Sequence, residues 1–264
     1  MYQPKLSKLL TIECIEHKVS EANSRYGRFK IGPLNTGQGI TVGNSLRRTL
    51  LSDITGLAIT NAKINVENIS GISELVESDS ELIIPKFHEF STIPGVRESV
   101  LEILLNLKNI ILSDNSTDFA EDQLGSLQCT GPCQITARDL ILPETIKVVD
   151  PDQYIATMVS NQIFSIKVII KHGRGVTEIP VQLDLKTQQK DCFDFLTIDA
   201  TYIPIKKVNY TIEEKFLGDG IDSLKELITL EVWTNGSVKP QKAVSSAINT
   251  LVDLYLSIQN TMVV

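Results

Sequence analysis

The chain is predicted to fold as an α+β protein with antiparallel sheets. Three observations carry this. Short runs alternating apolar and polar side chains fill most of the sequence, three segments carry a helical period instead, and the strands around the first helix read as a meander rather than a βαβ unit.

The elements follow in order. Leu10–Glu16 and Tyr26–Gly32 both alternate and flank a polar turn at Ala22-Asn23-Ser24, which predicts a hairpin that Pro33 ends. A glycine-rich segment then opens a helix reaching about Asp53, with Val42, Leu46, Leu50 and Ile54 as its apolar stripe. Gly56 closes it, and Leu57–Val66 reads as a strand. Residues 68–86 are acidic and irregular, as expected of an inserted loop. A second helix is expected over Val96–Leu107, with Val96, Val100, Ile103, Leu104 and Leu107 buried. Strands dominate 110–217, with turns at Thr130-Gly131-Pro132 and Gly173-Arg174-Gly175. Leu227–Trp233 is a strand and Asn235-Gly236 a turn. Pro240 suits a first helical position, with Ser237 upstream to cap it. Apolar residues from Ala243 to Ile258 cover more of this last helix than one core-facing stripe requires, so a second face is expected to meet a partner helix.

Composition narrows the function. With 264 residues, 42% hydrophobic and 22% charged, the chain has material for one large or two modest domains. A net charge of −7 leaves no broad basic face, so free nucleic acid is not expected to be held by bulk electrostatics. Of the four cysteines only Cys129 and Cys133 are close in sequence, and no second ligand pair stands near them, so reduced thiols are expected rather than a metal site. No window is long and apolar enough to span a membrane, and the first residues lack a signal h-region. The chain is therefore expected to work where it is made.

The segment Thr36–Leu51 invites two readings. Gly37, Gly39 and Gly43 precede or open a helix whose start carries a partial positive charge, and Arg47 and Arg48 could reach a phosphate. This would make the chain a nucleotide-binding enzyme using Gly37–Gly43. Against it, the spacing is Gly-x-Gly-x-x-x-Gly, no Gly-Lys-Ser or Gly-Lys-Thr follows, and Asp53 comes too early for a ribose ligand. Small residues that let the helix pack closely against a neighbour fit better.

Several segments resemble the N-terminal domain of the α subunit of bacterial and plastid RNA polymerase. They are Gly37–Leu51, Phe87–Lys108, Gly173-Arg174-Gly175, Asp199–Tyr210 and Trp233–Ser237 with Pro240 and the helix after it. Asp150–Thr157 is nearest to the plastid and cyanobacterial versions, which suggests a plastid or a bacterial cytoplasm, the plastid first. The resemblance implies a non-catalytic subunit of DNA-directed RNA polymerase, without cofactor, metal or membrane contact, meeting DNA only through the whole complex. It implies two lobes. Residues 1–55 and 204–264 would form a dimerisation lobe of antiparallel sheet and two helices, and 56–203 an inserted, mostly β lobe with one helix.

The resemblance also implies partners. Leu46, Leu50, Ala247, Leu251, Leu254 and Tyr255 would lie at the interface with a second copy. Arg48, with Asn44, Arg47, His88, Glu89, Gly95 and Arg97, would face the β subunit. Gly173, Arg174, Gly175, Asp199, Tyr202, Pro204 and Lys206 would lie on the β′ side. Two departures from the family pattern stand out: residues 68–86 are longer than usual, and no C-terminal DNA-binding domain follows the last helix, so promoter contacts through such a domain are not expected.

Overall fold

The structure, a computed structural model, describes residues 10–19, 23–68, 87–114, 122–177, 195–216 and 224–261. In chain order these form β1 (Thr11–Val19), β2 (Arg25–Asn35), α1 (Gln38–Ser52), β3 (Thr55–Asn68) and α2 (Val100–Lys108). Then come β4 (Leu112–Asp114), β5 (Gln123–Thr130), β6 (Cys133–Thr136), β7 (Leu140–Ile141), β8 (Ile146–Val148), β9 (Tyr154–Met158) and β10 (Gln162–Arg174). The chain finishes with β11 (Val176–Thr177), β12 (Leu196–Thr197), β13 (Ala200–Thr201), β14 (Ile205–Phe216), β15 (Leu224–Thr234) and α3 (Pro240–Thr261). The fold is mixed α+β, as the alternating pattern predicts. It divides into one unit of Met1–Gly56 with Ile203–Val264 and another of Leu57–Tyr202. The expected acidic loop, beyond Asn68, lies outside the described residues.

The first unit is a four-stranded sheet in the order β1-β2-β15-β14, antiparallel at every pairing. Both helices pack on one face. Phe29 and Ile31 from β2, Ile228, Leu230 and Val232 from β15, Leu46 and Leu50 from α1, and Ala243, Val244 and Ala247 from α3 make its core. The apolar stripe of α1 is thus buried through Leu46, Leu50 and Ile54, with Val42 packed at its margin.

The start of α1 shows why this sequence forms a helix here. Gly37 is its N-cap, at a left-handed φ of 84° that L side chains rarely adopt. No side chain of the segment caps the helix. The cap comes from far away in sequence: the carboxylate of Glu226 on β15 accepts the Gly37 N–H through Oε1 and the Gly39 N–H through Oε2, both at 2.7 Å. Glu226 is buried, and a negative charge at a helix N-terminus is favourable. A Cβ on Gly39 would stand 2.6 Å from that carboxylate, and one on Gly43 would stand 2.7 Å from the Tyr210 ring on β14. The glycines are therefore small so that α1 can lie directly on the sheet.

Two local features go beyond the expectation. The described hairpin pairing ends at Gly32, just before Pro33, but β2 itself runs through the proline to Asn35. β1 pairing stops at Gly32, and β15 is irregular between Glu226 and Ile228, so the proline that lacks a donor sits at a bulge rather than in a continuous ladder. Ser237 does not cap α3. Its N–H and hydroxyl both bond Asn235 Oδ1, closing the turn, and Lys239 accepts the first helical bond from Ala243. Pro240 is the first helical residue, as its fixed φ suits.

The opposite face of this sheet is polar and tied together. Glu231 accepts from the Tyr26 hydroxyl at 2.8 Å and from Arg28 Nη2 at 3.0 Å. Tyr26 also packs on Trp233, with ring centroids 5.0 Å apart, and Lys207 lies over that indole. The Tyr26 hydroxyl, then Arg28, hold the Glu231 carboxyl below its ordinary range.

The second unit contains a five-stranded sheet in the order β12-β3-β10-β5-β7, with the small pairs β4-β8, β6-β9 and β11-β13. Its core joins Ile59, Ala62 and Ile64 of β3 to Ile103, Leu104 and Leu107 of α2 and Phe164, Ile166 and Val168 of β10. The helix expected from Val96 begins at Val100. Ser99 and Glu102 form a capping box, the Ser99 hydroxyl accepting the Glu102 N–H and the Glu102 carboxylate accepting the Ser99 N–H. Val96 is instead bridged to Met158, and Thr92 to Ser99 across a turn at Gly95, which keeps 92–99 out of the helix. Gly173 and Arg174 belong to β10 rather than to a turn; Gly175 alone is left-handed, with φ 71°. Cys129 and Cys133 are free thiols against this core. Burial, then the Asp139 charge, pushes the Cys129 thiol up to about 11, so it stays protonated at neutral pH.

Three outcomes follow for stability in urea. Gly43→Ala forces α1 off Tyr210 and should cost about 1–3 kcal/mol, the usual range for overpacking. Glu226→Gln loses the charge at the helix start and turns an amide N–H₂ toward a backbone donor, so it should cost about 1.5–3 kcal/mol. The depressed Glu231 pKa stabilises the folded state above the ordinary carboxyl value of 4.5 and loses that contribution as pH falls through its lower folded value. Glu231→Gln should therefore flatten the acid limb of the stability profile below about pH 4.5.

Candidate functional site

A phosphate bound at the glycine segment would need the free amides at the start of α1. Glu226 holds two of them, Gly37 N–H and Gly39 N–H, so the site is closed by the chain's own carboxylate. The segment is a packing joint, and its exposed side is what remains for function.

That side carries two stripes, because successive helical residues point about 100° apart. Ile40, Asn44, Arg47 and Leu51 fall on one; Ile40 is 55% exposed and Leu51 37%. Thr41, Ser45, Arg48 and Ser52 fall on the other, where Ser45 and Ser52 return their hydroxyls to the carbonyls of Thr41 and Arg48. Arg47 and Arg48 are both exposed. Among the described residues neither guanidinium has an ion pair or hydrogen bond. Asn44 differs: its Oδ1 accepts the Tyr210 hydroxyl at 2.8 Å, which fixes it to the sheet.

In the other unit, His88, Glu89, Gly95 and Arg97 lie on one ordered connection into α2. The His88 carbonyl accepts the Ser91 N–H and hydroxyl, and the Ser91 carbonyl accepts the Val100 N–H. Gly95 is left-handed at φ 83°, with the Ser160 and Gln162 side chains where a Cβ would be, and its carbonyl accepts from Val159. Its role is to shape the backbone. His88 and Arg97 are exposed, and Glu89 is half-buried. Phe90, 74% exposed beside the His88 ring, is an apolar anchor that sequence reading did not single out.

A cleft of about 560 Å³ opens next to Arg97, lined also by Glu98, Glu102, Gln134, Tyr154 and Thr157. Its floor is satisfied internally. The Glu98 carboxylate takes the Tyr154 hydroxyl and the Thr157 N–H, and the Arg97 N–H bonds the Thr157 carbonyl. Burial, then the Glu98 bond, raises the Tyr154 hydroxyl above its ordinary value, so it remains a donor. The arrangement braces the start of α2.

The residues expected on the β′ side separate by exposure. Arg174, Asp199 and Lys206 are exposed, and Gly173 and Gly175 are half-buried. Asp199 lies 3.9 Å from Lys108. Tyr202 is buried with Ala58 and Ala200, its ring fills the space over Gly173, and its N–H bonds the Gly175 carbonyl. Pro204 is buried, and its carbonyl accepts from Asn235. These last two are buried and support the backbone. The residues expected at a dimer interface separate in the same way. Leu46, Leu50 and Ala247 are fully used by the unit's own core, Leu251 is packed at its margin, and Leu254 and Tyr255 are 55% and 57% exposed.

Glu226 and Tyr210 set the position of α1, and sequence reading missed both. Each looks ordinary in its strand, and only the strand register brings it to the glycines.

The comparisons agree with this geometry. Residues 69–203 match the family model described as the RNA polymerase Rpb3/RpoA insert domain. The chain is 43% identical to the DNA-directed RNA polymerase subunit alpha of Cyanophora paradoxa over 244 residues, 92% of this chain and 68% of that one. It is also 43% identical to the subunit of Chlorokybus atmophyticus, over 95% of this chain and 70% of that one. The subunit of Synechococcus sp. (strain JA-3-3Ab) is 40% identical, over 94% of this chain and 66% of its own length. The chain thus spans about two thirds of the length of these relatives. With the Gly37 and Gly39 amides of α1 held by Glu226, an insert unit that matches the family model and relatives that align along nearly all of it, the chain belongs to the DNA-directed RNA polymerase α subunit family.

Proposed function

We propose that this chain is a non-catalytic assembly subunit of RNA polymerase, working in transcription as a homodimer that recruits the β and β′ subunits. The carrying observation is the two-part character of α3. Its first half is buried in its own unit through Ala243, Val244 and Ala247. Its last turns expose Val252, Leu254, Tyr255, Leu256 and Ile258, each by 46–57%. One helix with a spent half and an uncovered apolar half fits a helix that completes its packing on a second copy. An obligate interface of this kind buries roughly 2,000 Å² or more. The unit made from the two chain ends is then the dimerisation lobe and Leu57–Tyr202 the inserted lobe.

Identical copies present the same surface to two different large subunits, so each copy uses a different part of it. Arg48 is assigned to β: it is exposed among small hydroxyl residues that leave a partner room to approach. Arg47, Asn44, His88, Glu89 and Arg97 accompany it, and Arg174, Asp199 and Lys206 are assigned to β′. The family resemblance supports these roles, and the exposure of these side chains is consistent with them. The nearest compartment reading is a plastid, because plastid relatives from Cyanophora and Chlorokybus share 43% of the aligned residues. A nucleotide-binding enzyme is not favoured, since Glu226 occupies the amides it would use.

Leu254→Glu should convert the dimer to monomer in sedimentation while the far-UV spectrum stays unchanged, because Leu254 contributes little to the core of its own unit. A stable dimer would refute the assignment of α3. Arg48→Ala should keep the dimer and weaken capture of β by about 2–5 kcal/mol, the range for truncating a buried charged contact. Unchanged β capture would remove Arg48 from that interface.

A further inference from the structure

Two nucleophilic side chains sit apart from every surface assigned to a partner. β5 ends at Thr130 and β6 begins at Cys133, so Cys129 and Cys133 flank the turn of Thr130, Gly131 and Pro132. Alternation along each strand sets the direction of both thiols. Leu127 and Cys129 point to the core side of β5, and Cys133 and Ile135 to the core side of β6. Leu127 and Ile135 are fully buried, whereas both cysteines are half-buried at the rim of that core. Two inward rows thus meet at their ends, and there the two thiols are hydrogen-bond partners.

The turn between them is held on both sides. The Gly131 N–H donates to the Gln162 carbonyl at 2.9 Å, and the Ser160 backbone fills the space where a Cβ on Gly131 would stand. Cys129 is paired with Phe164 of β10, and Cys133 with Met158 of β9. The contact between the thiols is therefore fixed by two ladders rather than left to a loose loop. A disulfide needs its two Cβ atoms about 4 Å apart, so side chains that already meet are the ones that close with little backbone movement.

We propose that Cys129 and Cys133 are a redox site that closes reversibly into an intrachain disulfide and fastens β6 to the end of β5. The electron acceptor is itself a disulfide, small or protein-borne. Cys133, as thiolate, attacks one sulfur of that disulfide, forming a mixed disulfide and releasing one thiolate. Cys129 then gives up its proton and attacks Cys133 Sγ, which forms the Cys129–Cys133 bond and expels the second thiolate. The two protons lost by the protein end on the two released thiols, so two protein thiols are oxidised as one external disulfide is reduced. Burial, then Asp139, keeps Cys129 protonated and makes it the poorer first nucleophile; its contact with Cys133 offsets this in the second step. In a reducing compartment such a pair is open at rest and closes transiently on oxidation. Closure adds a covalent tie between the β6-β9 pair and the five-stranded sheet. The step depends on neither the dimer nor the large subunits.

The test uses the full chain carrying Cys14→Ser and Cys192→Ser, so that this pair supplies the only thiols. The folded protein is incubated with oxidised glutathione, quenched in acid, alkylated with iodoacetamide and weighed whole and as peptides. A parallel sample is reduced with dithiothreitol before alkylation, and circular dichroism checks that each sample stays folded. The oxidised peptide holding both residues should be two hydrogens lighter and take up no iodoacetamide, and dithiothreitol should restore two alkylations. Cys129→Ser in the same background should stop the reaction at a glutathione adduct on Cys133, the first step seen alone. Two alkylated thiols after oxidation of the folded chain, no adduct on Cys133 in Cys129→Ser, or a link that forms only after urea unfolds the chain overturns the proposal.

Discussion

The burial of Glu226 against the start of α1 is the interaction on which the rest of the first unit depends. A helix start leaves amides unpaired, and in α1 two of them point into the sheet rather than into water. The Glu226 carboxylate meets Gly37 and Gly39 with one oxygen each, at the same 2.7 Å. That contact joins residues 187 and 189 positions apart, so it ties the two ends of the chain into one unit. Buried carboxylates are tolerated when their charge is met by oriented donors, and the helix terminus supplies those donors together with its dipole. The same contact that fastens α1 also takes up two of the amides a phosphate would use.

With one side of α1 fixed, the other side is presented in a set orientation. Gly43 brings the helix onto the Tyr210 ring, and the Tyr210 hydroxyl anchors Asn44. Arg47 and Arg48, about one turn further on the exposed side, inherit that placement. The unit thus separates two jobs by burial. Leu46, Leu50, Ala243 and Ala247 hold the fold, and Arg48, Leu254 and Tyr255 stay exposed. The second unit separates them in the same manner: Gly95 and Tyr202 shape backbone, while Arg97, Phe90 and Arg174 stay at the surface.

Much of this was legible in the sequence. Period-two alternation marks β2 and β15, and the fourfold spacing of Leu46, Leu50 and Ile54 marks the buried side of α1. Excess apolar residues on the last helix mark a face its own core does not use. Less legible were features that need tertiary register. Glu226 sits in an apolar strand like any strand-end acid, and nothing local says it will face Gly37. Ser99 with Glu102 was a readable capping box, but the apolar Val96 and Val100 drew the helix start too early. Pro33 marks the end of the hairpin pairing, but that β2 continues past it was not legible, because the bulge in β15 that accommodates the proline belongs to a strand almost two hundred residues away. The interface residues divided the same way, because family resemblance marks a position without saying whether its side chain or its backbone is what matters. Tyr202 and Pro204 are buried supports, and Arg48 is exposed.

The central claim is that the unit built from the two chain ends completes its core only by pairing with a second copy. Light scattering coupled to gel filtration of the purified chain at micromolar concentration measures this without any mutation. A chain of 29.2 kDa should elute as a species of twice that mass. A single well-folded peak at the monomer mass, unchanged with concentration, would contradict it.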